Sequence, residues 1–153
     1  MTIRAISLWQ PWASLIAVGV KVHETRGFRA PPHIVGQRVA IHATIRPFTL
    51  ADIDERLAHL CVNVFGEYCP KTLPYGAVVA TALLQSSTPM TSCAPVDDND
   101  AICGNWSPDR FAWRMAEVHP LLAPIPAKGM QGWWYWTPPE AWTPQALNSA
   151  GVA

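Results

Sequence analysis

Gly19-Val20-Lys21-Val22-His23-Glu24-Thr25-Arg26 sets two cations beside one carboxylate. Lys21 and Arg26 can neutralise a phosphate, the lysine as a point charge and the arginine as a fork. A partly buried lysine next to another cation also gives up its proton more readily, so Lys21 and Glu24 can form an acid–base pair. The plain structural alternative is a surface lysine salt-bridged to Glu24. Up to residue 46 the bases Arg4, Lys21, Arg26, Arg29, Arg38 and Arg46 oppose only Glu24. The rest of the chain holds five basic and ten acidic residues, so a net charge of zero hides a dipolar molecule. Trp9, Trp12 and Phe28 fall in the basic part, the composition of a groove that follows a phosphate backbone and stacks bases.

Other residues extend this chemistry. Pro11 suits the first position of a helix, where Gln10 and the helix N-terminus can face an anion or a base edge. Trp12 either stacks on a ligand or packs with Leu15 and Ile16. His42 ends an apolar segment and is either a satisfied core histidine or a ligand contact. Trp106 lies in a polar stretch with no core of its own, which makes it a stacking platform worth ~1–3 kcal/mol per base. Lys128 and Gln131 sit in the Pro/Gly-flanked stretch 124–132, able to bring backbone N–H groups to a ligand. Around Ser86, Ser87 and Thr88 there is no nucleophile elbow and no Ser-His-Asp ordering. Cys61, Cys69, Cys93 and Cys103 form no C-x-x-C pair, which speaks against zinc. The acidic run at 97–100 lacks the Gly and distal Glu of a calcium loop. No metal and no other cofactor is expected.

These side chains need a frame. Ile3–Leu8 reads as a strand, Pro11–Val18 as a helix closed by Gly19 in a left-handed conformation, and Val22–Arg26 as a strand. Alternation puts Glu24 and Arg26 on one face, His23 and Thr25 on the other. Arg38–Ala43 is a buried strand. Leu50–Phe65 has helical period, with Thr49 as its cap. Gly76–Leu84 is a central strand and Ser86–Asn105 a long polar loop. Phe111–Leu122 and Trp133–Trp136 are strands, and Glu140–Ala150 a terminal helix.

A chain of 153 residues, half of them apolar, is expected to form one domain over 1–153 with its own core. It would carry a helical insertion near 50–65 and a polar loop near 86–105. Fifteen prolines argue against a helical bundle. Short strands with two interposed helices predict an α+β fold: a small mixed β-barrel of five to six strands with helices at its openings. No apolar run reaches the roughly 20 residues that span a bilayer, and no signal-peptide pattern opens the chain. A cytoplasmic protein with reduced thiols is expected, and no membrane partner.

Three strings go beyond generic patterns: residues 6–16 (Ile-Ser-Leu-Trp-Gln-Pro-Trp-Ala-Ser-Leu-Ile), the Gly19 to Arg26 string, and Ala40-Ile41-His42-Ala43. Tyr75 to Ala80, Phe111 to Arg114 and Pro124 to Gly132 follow in order. Together they resemble the ASCH family, named for activating signal cointegrator homology, over about residues 3–137. The resemblance implies a fold similar to the PUA domain of RNA-modifying proteins. It also implies a cleft between the first helix, the lysine-bearing turn and the later loops, where RNA or a nucleotide binds. Members occur as coactivator parts, as RNA-binding modules and as hydrolases or nucleases, so the family fixes fold better than chemistry. One branch of the superfamily deacetylates acetylcytidine with a motif similar to G-x-K-x-x-T-x-R. Here Glu24 replaces that threonine, which removes the hydroxyl nucleophile.

The leading expectation is a reader of RNA or a nucleotide, single-stranded or with a flipped base. Lys21, Arg26 and Lys128 would neutralise phosphate. Trp12 and Trp106 would stack, while Gln10, Glu24 and Gln131 would bond base edges, with His42 at the rim. The alternative is a hydrolase of a modified nucleoside or of RNA, using Lys21 and Glu24. A weaker one is a protein-interaction module in a transcription or phage-related assembly.

Overall fold

The alternating and continuous apolar segments pair into one six-stranded sheet, seen in a computed structural model that describes residues 1–140. The strands are β1 (Ile3–Leu8), β2 (His23–Arg26), β3 (Arg38–Ala43), β4 (Ala77–Pro89), β5 (Phe111–Pro126) and β6 (Trp133–Trp136). Their order is β2-β5-β4-β3-β1-β6. Only β1 and β3 run parallel, Ser7 lying opposite His42. The other neighbours are antiparallel. The α+β class, the mixed sheet and its strand number match expectation. The order leaves β2 and β6 as edges, so no hydrogen-bonded ladder closes a barrel among the described residues. Curvature still brings distant strands together. Trp113 of β5 stacks on Trp133 of β6 with centroids 6.0 Å apart.

Four short helices attach to this sheet: α1 (Trp12–Ala17), α2 (Glu55–Phe65), α3 (Cys69–Thr72) and α4 (Asp98–Ile102). Helix α1 buries Ala13 and Ile16 in the main core with Ile6, Leu8, Val39, Ile41, Trp113 and Met115. Its Leu15 points the other way and meets Leu57, Leu60 and Cys61 of α2 and Cys103 after α4. So α1 is sandwiched between the sheet and the α2/α4 layer. Gly19 takes φ +79°, as expected at a helix end, and turns the chain toward Lys21.

Several elements depart from the sequence reading. The 50–65 stretch splits into a 3₁₀ turn at Leu50–Asp52 and α2. Asp54, not Thr49, caps α2 by accepting from the N–H groups of Arg56 and Leu57. The polar loop is shorter than expected, because Ser86–Pro89 continues β4 against Phe111–Arg114 and Asp97 starts α4 by accepting from Asp100 N. Main-chain pairing holds polar side chains in a ladder as readily as apolar ones. The expected helix at Glu140–Ala150 lies outside the described residues but for Glu140 itself. Among the described residues no helix is long and apolar enough to cross a membrane. All four cysteines are free thiols.

Candidate functional site

A cavity of about 730 Å³ opens between the end of β1, the start of α1, strand β2, the start of α2 and the segment after α4. Lys21 projects into it. The backbone N–H groups of Val20 and Lys21 both bond Leu15 O, which ties the turn after α1 tightly to the helix. The lysine is 1% exposed. Its Nζ donates to Cys103 O at 3.1 Å and pairs with Glu24 Oε1 at 3.4 Å. An ammonium has three donors, and among the described residues the third has no partner. A buried charge is tolerable when it is paired in this way.

Glu24 is the centre of the cluster. Oε1 also accepts Thr25 N at 3.2 Å, while Oε2 accepts from Arg26 Nε at 3.0 Å and lies 3.0 Å from Arg26 Nη2. As strand alternation predicts, Glu24 and Arg26 share a face. Thr25 looks toward the α4 segment, where its Oγ1 accepts from Asn105 N at 3.1 Å. Gly104 is required there, since a Cβ on it would come within 2.7 Å of Thr25 Cγ2.

Trp12 lines the cavity and also packs with Leu15 into the α1/α2 core. Three contributors lie outside the residues singled out as candidate contacts. Trp9 is 53% exposed at the mouth, and the Arg46 guanidinium sits 3.7 Å over its ring centroid, a cation–π contact. Arg110 reaches in from the start of β5, giving an Nη2 hydrogen bond to Thr25 O at 3.1 Å, while its Nε is buried without a partner. Trp9 was visible as a basic-segment aromatic. Nothing local marked Arg110.

The remaining candidates lie elsewhere. His42, Lys128 and Gln131 line a second cavity of about 610 Å³, which shares Ser7, Trp9 and Arg26 with the first. The two hollows are adjoining parts of one groove. Trp106 lines a third hollow, which shares Asp54, Ile102, Gly104 and Asn105 with the first. Its ring packs edge-on against His23 at 5.3 Å and its Nε1 donates to Asp100 O, so the fold holds it at that adjoining hollow, while the Lys21 cavity itself is lined by other residues. Gln10 is turned inward. Its Nε2 donates to Ser14 Oγ at 2.6 Å and Pro74 O at 2.8 Å, and its Oε1 accepts Ser14 N, which uses up the amide as a brace for α1. His42 is 2% exposed and sits in the wall of the second cavity with both ring nitrogens engaged, by Ser7 Oγ and Ala127 O. Among the described residues no three His, Cys, Asp or Glu side chains converge as metal ligands.

No protein-family model matches the chain, and no curated protein does. Solved structures are more informative. ASCH from Zymomonas mobilis aligns with 97% of this chain and 92% of its own, at 16% identity and a TM-score of 0.52. A mutant form of that protein aligns over 97% and 95% at 16% identity, with a TM-score of 0.47. At such identity the likeness is one of fold, and the mixed six-stranded sheet with its short helices is similar to the fold of an ASCH protein.

Proposed function

We propose that the chain binds an unpaired nucleotide of RNA in the Lys21 cavity and does so without chemistry at Lys21 or Glu24. The observation that carries this reading is the meeting, around one hollow, of Lys21, Arg26 and Arg110 with the indoles of Trp9 and Trp12. Lys21 and Arg110 each keep a buried donor for which no described residue supplies an acceptor, and a phosphate or a base edge would supply it. Exposed Trp9 offers a base a π-face already held in place by Arg46. Glu24 accepts from, or pairs with, Lys21, Thr25 and Arg26 at once. Both oxygens of the carboxylate are thus occupied in holding its neighbours in place, which favours binding over hydrolysis by this pair.

Titration with short single-stranded RNAs, followed by tryptophan fluorescence, tests the reading. Binding is expected to weaken roughly tenfold or more in Lys21→Met, the loss of a charge-assisted contact, and also in Trp9→Ala. The salt dependence should be shallow, about −0.7 in log–log slope per phosphate neutralised. Affinity unchanged in both variants would overturn the assignment, and no RNA binding at all would favour a protein-interaction module. Incubation with RNA and acylated cytidine completes the test. Turnover that disappears in Lys21→Met would assign a hydrolase instead.

A further inference from the structure

The groove has a second chemical centre, on the far side of Arg26 and Trp9 from Lys21. Parallel pairing of β1 with β3 sets Ser7 opposite His42. A register shift between Ile41 and His42 is the kind of irregularity that re-aims a side chain. Ser7 Oγ lies 3.0 Å from His42 Nδ1, and His42 Nε2 lies 2.7 Å from Ala127 O. A carbonyl only accepts, so Nε2 carries the ring proton and Nδ1 presents its lone pair to Ser7. Trp134 Nε1 donates to the same Oγ at 3.0 Å. An indole N–H only donates, so it fills one Oγ lone pair and leaves the hydroxyl hydrogen directed at Nδ1. The protonation pattern is thereby set without reference to any titration. Burial also lowers His42's affinity for a proton, with the Ala127 carbonyl opposing, which keeps the ring a neutral acceptor near neutral pH.

Ser7 is half-buried and lines both parts of the groove. On its Lys128 side the wall carries Ile45 and Met130, 81% and 58% exposed, large apolar side chains at the rim of the hollow. Gly129 closes over the pair, and a Cβ there would lie 2.6 Å from Ser7 Oγ and 2.5 Å from His42 Cε1. Nucleophile, base and an acceptor orienting the base are the working parts of serine acyl transfer, recognised by geometry rather than by sequence order.

The geometry points to Ser7 as an acyl-accepting nucleophile, with His42 as its general base and the Ala127 carbonyl as orienter, acting on carboxylic esters with a small apolar acyl group. Oγ bonds to the ester carbonyl carbon while its proton passes to Nδ1. The C–O bond to the alcohol breaks, and the leaving oxygen takes that proton. Water then attacks the acyl-serine, gives a proton to Nδ1, and the carboxylic acid departs as Oγ recovers the proton. The acyl group would rest against Ile45 and Met130. The assignment stands apart from RNA binding and does not rest on it.

A fluorophosphonate, whose fluoride leaves when a serine attacks phosphorus, tests the nucleophile, and p-nitrophenyl butyrate tests turnover. The native protein should take one label, mapped to Ser7 by peptide mass. Its butyrate hydrolysis should vanish in Ser7→Ala and fall about 100-fold or more in His42→Gln, the range for loss of a general base. Should His42→Gln fail to fold, Ser7→Cys serves instead. Alkylation of that introduced thiol at neutral pH should run at least tenfold faster in the native than in the urea-unfolded protein. No label on Ser7, labelling indifferent to His42→Gln, or a Ser7→Cys thiol no faster than in urea would each overturn the assignment. Mass reads the label and fluorescence reads RNA, so each reading can fail alone.

Discussion

Two buried histidines work in opposite surroundings. His23 on β2 and His42 on β3 are both shut off from solvent, and each has its tautomer set by one hydrogen-bond acceptor. For His23 that acceptor is ionic. Its Nδ1 lies 2.8 Å from Asp100 Oδ2, and the same carboxylate accepts the N–H groups of Val22, His23 and Val96. Burial pushes the Asp100 carboxyl up, but the His23 ring and those N–H groups outweigh it and hold it below its ordinary value. The result fastens α4 to β2 and places Cys103, whose carbonyl anchors Lys21. The acceptor for His42 is a neutral carbonyl, its remaining nitrogen meets a hydroxyl, and a cavity lies beside the pair. His23 Nε2 faces only the Cys93 sulfur, 3.8 Å away, and Cys93 lines none of the three hollows. One histidine therefore rivets the site and the other is available to it. A carboxylate with four donors resists change, whereas a carbonyl partner leaves the ring free to accept a proton and return it.

The contrast breaks first at Asp100. Asp100→Ala leaves three backbone N–H groups and the His23 ring without their acceptor and should cost about 3–5 kcal/mol by urea denaturation, as for other broken buried charge networks. A loss under ~1 kcal/mol would show that α4 is held by something else. Next come two glycines, each pressed on one centre. Gly104→Ala meets Thr25 and Gly129→Ala meets His42 and Ser7, in both cases under 3.0 Å. Each should destabilise by about 1–3 kcal/mol. Gly104→Ala should weaken RNA binding and Gly129→Ala should slow Ser7 labelling, and a crossed pattern would merge the two centres.

Titration separates them further. The folded-state affinity of His42 for its proton lies below the ordinary value of 6.5. Its contribution to stability is therefore complete above that pH and is lost as pH falls through the folded value. Asp100 is depressed from 3.8, so its contribution is complete above about 3.8 and disappears at lower pH. Urea midpoints measured against pH should lose the upper limb in His42→Gln and the lower limb in Asp100→Asn. The smallest effect is chemical. Burial, with the neighbouring Cys69 and Cys103 thiols adding, pushes Cys61 up to about 12. Burial, with the Asp100 and Asp97 carboxylates adding, outweighs Lys21 and raises Cys103 to about 11, and burial raises Cys69 as well. Half-buried Cys93 should be the one thiol that reacts promptly with a disulfide reagent in the native state, with all four reacting after unfolding.

Much of this could be read before any coordinates. β1, β3 and β6 fall where apolar patterning put them, and Gly19 is left-handed as a helix end demands. Lys21, Glu24 and Arg26 meet because a turn and a strand bring near neighbours onto one face. The extensions of β4 and β5 were hidden, because Ser86, Ser87 and Thr88 look like loop residues until Arg114, Trp113 and Ala112 pair with them. Trp106 looked free of a core, yet its partners His23 and Asp100 arrive from β2 and α4. Gln10 looked like a ligand group, yet its acceptor is the distant Pro74 carbonyl.

By itself the amino-acid order determined what local physics can determine: the strands, the turn after α1, the basic–aromatic opening and the lysine–glutamate–arginine cluster. Only the tertiary structure decided which of those groups share a hollow. It supplied Arg110 and the Cys103 carbonyl to Lys21, set Trp106 in an adjoining hollow against His23, and set Ser7 against His42 and Ala127. Those partners are far apart in the chain and meet only through strand register, which residue spacing does not encode.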